Sequence, residues 1–243
     1  SDWLHVASSI DQVDVDTNRF DESVMWCRPA WEFESQRSLL LSQFVTRLTI
    51  FNFVWGSFES VVKLIDPPKV PKSIKPGRTS FVDRAVFYLK NRLESTPQLR
   101  LYEPVVADFR ETLSKLPQYG DLSGEFRIQP FVGVSGIGVH VVRKIRNRFA
   151  HGAMDLPFPE DWGGNSSIVS LDVNLIRSST RIVLFTIQML LLAYLKNEHL
   201  LVEVDWCVDE DGMPREETID IALATLHIQA TNDDMAKNQL PLF

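Results

Sequence analysis

One uninterrupted helical stripe constrains this chain more than any other feature. Between residues 32 and 65, Leu40, Phe44, Leu48, Phe51, Trp55, Phe58, Val62 and Ile65 recur at steps of three and four. That spacing places side chains on one face of an α-helix. No proline interrupts the run until Pro67-Pro68, which ends it because proline lacks the backbone donor and crowds the preceding turn. A helix of about nine turns is the spine of a bundle, and the run Phe51-Asn52-Phe53-Val54-Trp55 predicts burial on more than one of its sides. Further helices are predicted over 81–93 with Ser80 as cap, from Pro97 or Leu101 to Leu116, over 136–151 closed by Gly152, and over 172–199. Strand-like alternation is confined to Val13-Asp14-Val15-Asp16 and to Val202–Trp206. Leu200 to Val208 reads either as a continuation of the last helix or as a short strand, and 216–230 reads as a short helix. The fold class is therefore all-α, a helical bundle with long first and last helices over 31–204. Irregular extensions, 1–30 and 205–243, flank it.

Composition narrows what such a bundle can do. The 243 residues are 44 % apolar and 23 % charged, enough for a sizeable core. Thirty-two acids against twenty-five bases give a net charge of −7. That balance argues against a protein coating nucleic acid over its whole surface but leaves room for a local basic site. Cys27 and Cys207 lie far apart and form no C-x-x-C pair, so neither a disulfide framework nor a cysteine zinc site is expected, and the cytosol is the natural compartment. The longest apolar stretch, Ile182 to Leu195, is broken by Thr186 and Gln188. It falls short of the roughly twenty residues a membrane span needs and reads as a buried core helix. No pattern of a signal peptide, an NTPase P-loop or a serine-hydrolase elbow occurs. The five histidines show no metal-binding spacing. Gly133-Val-Ser-Gly-Ile-Gly138 has the wrong glycine order for a dinucleotide fingerprint and reads as a flexible lead-in to the helix that follows.

Two segments carry positive charge. Asp66 to Arg78 holds four prolines and one glycine, with Lys69, Lys72, Lys75 and Arg78 at every third position. It reads as an exposed loop, either a solvated connector or an arm touching phosphates. The second segment is Val141-Val-Arg-Lys-Ile-Arg-Asn-Arg-Phe-Ala-His-Gly152. On a helix with Ile145 at zero, Val141 and Phe149 fall within about 40° of it and form the core stripe. On the opposite face lie Arg143, Asn147, His140 and His151, at about 160°, 200°, 220° and 240°, with Arg146 on the flank near 100°. Arginine offers planar donors that fit phosphate oxygens. Histidine gains or loses a proton near neutral pH. His151 also sits in the last turn, where the helix dipole favours imidazolium.

The string Arg146-Asn147-Arg148-Phe149-Ala150-His151 resembles the signature of HEPN domains, an arginine followed by four to six residues and a histidine, with a polar residue, often asparagine, directly after the arginine. These all-α modules occur in RNA-cleaving toxins, anti-phage factors and CRISPR effectors. The wider string Ile145 to Gly152 is similar to the motif helix of anti-phage proteins of the ApeA type. It is similar also to the matching segment of mannitol-operon repressors, which share the fold without an established nuclease role. The resemblance is close over this helix and extends to 32–199 only in helical layout.

It implies a metal-independent endoribonuclease without cofactor, in which the 2′-OH of RNA attacks the adjacent phosphate. His151 would move the proton, Arg146 would stabilise charge on the phosphorane-like transition state, and Asn147 would hold His151 or a phosphate oxygen. A homodimer would pair two such helices across a composite site. An anti-phage or toxin setting, with an antitoxin or sensor partner, is the matching context. Glu59 is placed where some HEPN branches carry an acid facing the motif; it reads equally as an ordinary exposed helix glutamate. Arg143, Lys144 and Arg148, with Lys69, Lys72 and Lys75, are candidate RNA contacts or a solvated face. His140 is an RNA contact or a bystander. His151 itself reads alternatively as a helix-end residue bonding a carbonyl, and the whole module as a non-catalytic regulator or scaffold.

Overall fold

The structure, a computed structural model, describes residues 2–20, 26–93, 99, 101–152, 156–159, 171–195, 201–208 and 214–218. Six α-helices run in chain order through these residues: α1 (Asp2–Ser9), α2 (Arg28–Ile65), α3 (Phe81–Leu93), α4 (Tyr102–Ser114), α5 (Ile137–Ala150) and α6 (Leu171–Leu195). Short 3-10 turns cover Asn18–Phe20, Pro117–Glu125 and Val134–Gly136. The chain is thus mainly helical, as its periodicity predicts. One antiparallel hairpin joins β1 (Leu201–Val208) to β2 (Pro214–Thr218), with Leu201 opposite Thr218 and a register shift between Val204 and Val208. Strand β2 replaces the start of the helix predicted over 216–230, and the rest of that range lies outside the described residues. Cross-strand hydrogen bonding decides the matter where local propensity is weak on both sides.

Helix α2 is the spine. Its stripe of Phe44, Phe51, Trp55, Phe58 and Val62 is buried, Phe51 and Phe58 completely, each such side chain contributing about 1.5–3 kcal/mol of burial. It stops where the prolines require. Asp66 takes the left-handed conformation (φ 46°) and its N–H closes on the Val62 carbonyl at 3.0 Å. The Asp66 carboxylate then accepts from Arg84 at 2.6 Å. Helix α6 packs along α2 and buries Leu175, Ile176, Ile182, Val183 and Leu190 completely. Both α2 and α6 are long and apolar enough to cross a membrane by length and composition, but most of the apolar surface of α6 is spent on the core.

The N-terminal segment is built into the bundle rather than trailing from it. Trp3 of α1 lies against Gly56, where an added Cβ would come within 3.0 Å of the indole. Residues 13–17 then run extended along α2. The N–H groups of Val13, Val15 and Thr17 donate to the hydroxyls of Thr46, Ser42 and Ser38 at 2.9, 2.9 and 3.0 Å. The registers match because two extended residues advance about 6.7 Å and four helical residues about 6 Å. The alternation at Val13–Asp16 therefore marks a strap laid on a helix, with side-chain oxygens standing in for a neighbouring strand.

Helix α5 is held by close packing. At Gly136 an added Cβ would come within 2.7 Å of Val86, and at Gly138 within 2.8 Å of Ile182 and 2.9 Å of the Tyr102 hydroxyl. The Gly138 N–H donates to that hydroxyl at 3.1 Å. These glycines are points of helix crossing, not the flexible lead-in their spacing suggests.

Candidate functional site

The motif occupies the C-terminal half of α5 and its first residue beyond. Ile145 is fully buried and the Phe149 ring lies 6.2 Å from that of Phe44, which seats this end of the helix on α2. The helix ends by a glycine cap: Gly152 adopts φ 63° and its N–H donates to the Phe149 carbonyl, while the His151 N–H donates to the Asn147 carbonyl, both at 3.1 Å. His151 and Asn147 are exposed and Arg146 is half-buried. These three residues thus share one solvent-facing end of α5.

Arg146 leans toward α2, its guanidinium carbon 5.9 Å from the Trp55 ring centre. The same Trp55 donates its indole N–H to the Glu59 carboxylate at 2.7 Å. One buried aromatic thereby brings Glu59 and Arg146 to a common edge, although the two sit on different helices. Trp55 is the residue that sequence reasoning assigned only to the core. Its signal was available: a buried indole N–H needs an acceptor, and an acid four residues on is the nearest one a helix can offer.

The other cations of α5 are committed to acids. Arg143 donates to Ser80 Oγ at 2.6 Å and to Asp83 at 3.2 Å. Lys144 pairs with Glu125 at 2.6 Å. Arg148 grips Asp121 through two hydrogen bonds of 2.7 and 2.5 Å, donates to the Gln118 carbonyl, and lies 5.4 Å over Tyr119. Lys144 holds the Glu125 carboxyl below its usual range, as Arg148 does that of Asp121. Arg146 is the one lysine or arginine of α5 without an ion pair among the described residues.

His140 is 3 % exposed, its ring 5.8 Å from Phe131. Its Nε2 stands 3.8 Å from Glu125, too far for a hydrogen bond, and neither ring nitrogen has a partner. Burial pushes its pKa down to about 4, with Arg143 and Lys144 adding to the effect against Asp83 and Glu125. The helical wheel places His140 and Arg143 on a solvent face; in the fold, Phe131 and the Ser80–Asp83 turn cover that half of it.

In the 66–78 loop, Lys69 and Lys72 are exposed, while Lys75 is folded inward onto Asp83 at 2.5 Å and over the Phe131 ring at 4.6 Å. The loop is anchored, not free. Val70 is buried, Arg84 donates to the Pro67 carbonyl, and Ile74 and Lys75 close a turn on Pro71. Asp83 is the hub: 1 % exposed, it accepts from Lys75, Arg143, and the N–H and hydroxyl of Ser80, both at 2.8 Å. Burial opposes its charge, but Lys75, Ser80 and Arg143 outweigh that and hold its carboxyl below the ordinary range.

No group of three or more His, Cys, Asp or Glu side chains suited to a metal occurs among the described residues. A cavity of about 490 Å³ opens between α4 and the start of α5, lined by Tyr102, Val106, Arg110, Phe126 and Ile137. It lies some fourteen residues from His151, about 20 Å by helical rise, and none of the motif residues lines it. The chain matches no model of a known protein family, no curated protein sequence and no solved structure.

Proposed function

We propose that the chain is a metal-independent endoribonuclease of the HEPN type that works as a homodimer. The observation that carries this reading is the selective pairing on α5: Arg143, Lys144 and Arg148 are each matched to an acid, whereas Arg146 has no ion pair among the described residues and lies beside exposed Asn147 and His151.

In the proposed reaction, the RNA 2′-oxygen attacks the adjacent phosphorus while its proton passes to an imidazole. The P–O5′ bond breaks, the departing oxygen takes a proton, and the products are a 2′,3′-cyclic phosphate and a 5′-hydroxyl. His151 moves the protons, the two imidazoles of the dimer serving as base and acid in turn. Arg146 donates to the phosphoryl oxygens as their charge grows. Asn147, one turn before His151, orients the imidazole or a phosphate oxygen. Glu59 acts through Trp55 and fixes the platform against which Arg146 rests. Lys69 and Lys72 are free to follow the RNA backbone, whereas Arg143, Lys144, Arg148 and Lys75 hold the helix in place.

The test is incubation of the purified protein with total RNA in EDTA, beside His151→Ala and Arg146→Ala. Cleavage that survives EDTA and falls by about 10²–10⁴-fold in both variants is the expected result. Equal inertness of all three proteins overturns it in favour of a non-catalytic regulator or scaffold.

A further inference from the structure

A second set of guanidiniums lies on the face where α2 meets α6. Arg47 projects from α2, and Arg177 and Arg181 stand one turn apart on α6, the spacing that puts two side chains side by side. Arg177 is exposed, and Arg47 and Arg181 are half-buried, so all three reach solvent while their stems are packed. Arg177 is close enough to both of the others to lower their hold on a proton, second only to burial in each case. Asp108 of α4 acts on Arg181 as an opposing charge, but its carboxylate accepts from Ser178 at 2.9 Å and makes no ion pair with the arginine. Among the described residues none of the three guanidiniums has an ion-pair partner, and the Nε of Arg181 is a buried donor with no acceptor.

Five other basic side chains are handled differently: Arg84, Lys75, Arg143, Lys144 and Arg148 each pair with a carboxylate. In a chain with seven more acids than bases, three guanidiniums gathered without an ion pair among the described residues carry a repulsive cost, which Asp108 offsets only in part at Arg181. A ligand that brings its own negative charge removes the cost. Guanidinium forks match phosphate oxygens two at a time, and three forks arriving from two helices exceed what the two oxygens of one carboxylate can accept.

We propose that Arg47, Arg177 and Arg181 form a second, phosphate-binding site, one that stands whether or not Arg146 and His151 cleave RNA. Two sources share the chemistry: the backbone of an RNA strand, and a free polyphosphate or nucleotide. The site lies toward the same end of the bundle as the motif, since Arg47 is one turn from Phe44, which packs on Phe149.

The experiment uses the full chain with two probes, tripolyphosphate and a short 2′-O-methyl oligoribonucleotide that cannot be cleaved by its own 2′-oxygen. Each is titrated against the wild type, Arg177→Glu and Arg47→Gln. Arg177→Glu is the informative variant because its carboxylate stands four residues before Arg181, the favourable order for a helical ion pair. It should melt no lower than the wild type in the absence of ligand, so weaker binding cannot be put down to misfolding. The expected result is a fall of about tenfold or more in tripolyphosphate affinity in both variants. Where the oligoribonucleotide also weakens, with its log–log salt slope reduced by about 0.7 for each phosphate no longer neutralised, the strand is the ligand. Where only tripolyphosphate weakens, the ligand is a free phosphate compound. Tripolyphosphate binding that is absent from the wild type, or unchanged in Arg177→Glu, overturns the proposal. Because neither probe is a substrate, none of these outcomes depends on catalysis.

Discussion

Replacing Asp83 with asparagine tests the claim that one buried carboxylate fixes both the 66–78 loop and α5. The substitution keeps the shape of the side chain and removes its charge. The wild-type carboxylate is 1 % exposed and meets Lys75 at 2.5 Å and Arg143 at 3.2 Å, while Ser80 donates to it from two atoms. Breaking a buried pair by deleting one partner typically costs about 3–5 kcal/mol. Lys75 and Arg143 keep 22 % and 20 % of their side-chain surface exposed, so both can recover some hydration, and a loss of about 2–4 kcal/mol at pH 7 is expected.

The pH dependence gives the sharper check. The Asp83 carboxyl titrates below its ordinary 3.8, so the unfolded chain binds the proton first as the pH falls. The stability it contributes is complete above that value and is lost as the pH drops through the lower, folded one. The difference between wild type and Asp83→Asn should be constant from pH 7 to about 5 and should shrink below about 4. Urea melts of both proteins across pH 3–7 measure it, the variant cancelling all other titrations. A difference under about 1 kcal/mol at pH 7, or one that does not shrink in acid, would refute the hub assignment.

Three further outcomes rest on single side chains. Gly138→Ala should destabilise the fold by about 1–3 kcal/mol in chemical denaturation, against the roughly 1 kcal/mol that alanine gains in an open helix, because its Cβ would meet Ile182 and the Tyr102 hydroxyl inside 3.0 Å; a neutral or stabilising result contradicts the close crossing. For His140, the folded pKa of about 4 lies below the ordinary 6.5, so its stabilising effect is full above pH 6.5 and declines as the pH falls toward 4; His140→Leu should abolish that part of the acid sensitivity in melts at pH 7 and 5. Ser42→Ala should leave the Val15 N–H without its acceptor, raising the hydrogen-exchange rate of that amide and costing about 1–3 kcal/mol, whereas unchanged exchange would mean the strap is not held by these hydroxyls.

The local pattern carried the helices and the motif because both are written between near neighbours. Steps of three and four fixed the stripe of α2, Pro67-Pro68 fixed its end, Ser80 capped α3, and Gly152 closed α5 in a left-handed conformation. The same arithmetic put Arg146, Asn147 and His151 at one end of a helix and predicted nothing false about their exposure. It failed where a partner comes from elsewhere in the chain. A helical wheel treats His140 and Arg143 as equivalent to Asn147, since nothing within α5 distinguishes them. The alternation at Val13–Asp16 indicated extended backbone but could not say that a helix, not a strand, would accept its hydrogen bonds.

What the sequence determined alone is a mainly helical chain with a basic, amphipathic helix bearing an arginine and a histidine five positions apart. Tertiary structure decided which of its charges remain available. Asp83 reaches Arg143 across 60 residues, Asp121 reaches Arg148 across 27, and no acid forms an ion pair with Arg146, Arg47, Arg177 or Arg181 among the described residues. Periodicity is a property of the backbone and repeats every turn, whereas neutralisation depends on which distant carboxylate the packing of the core carries to within about 4 Å.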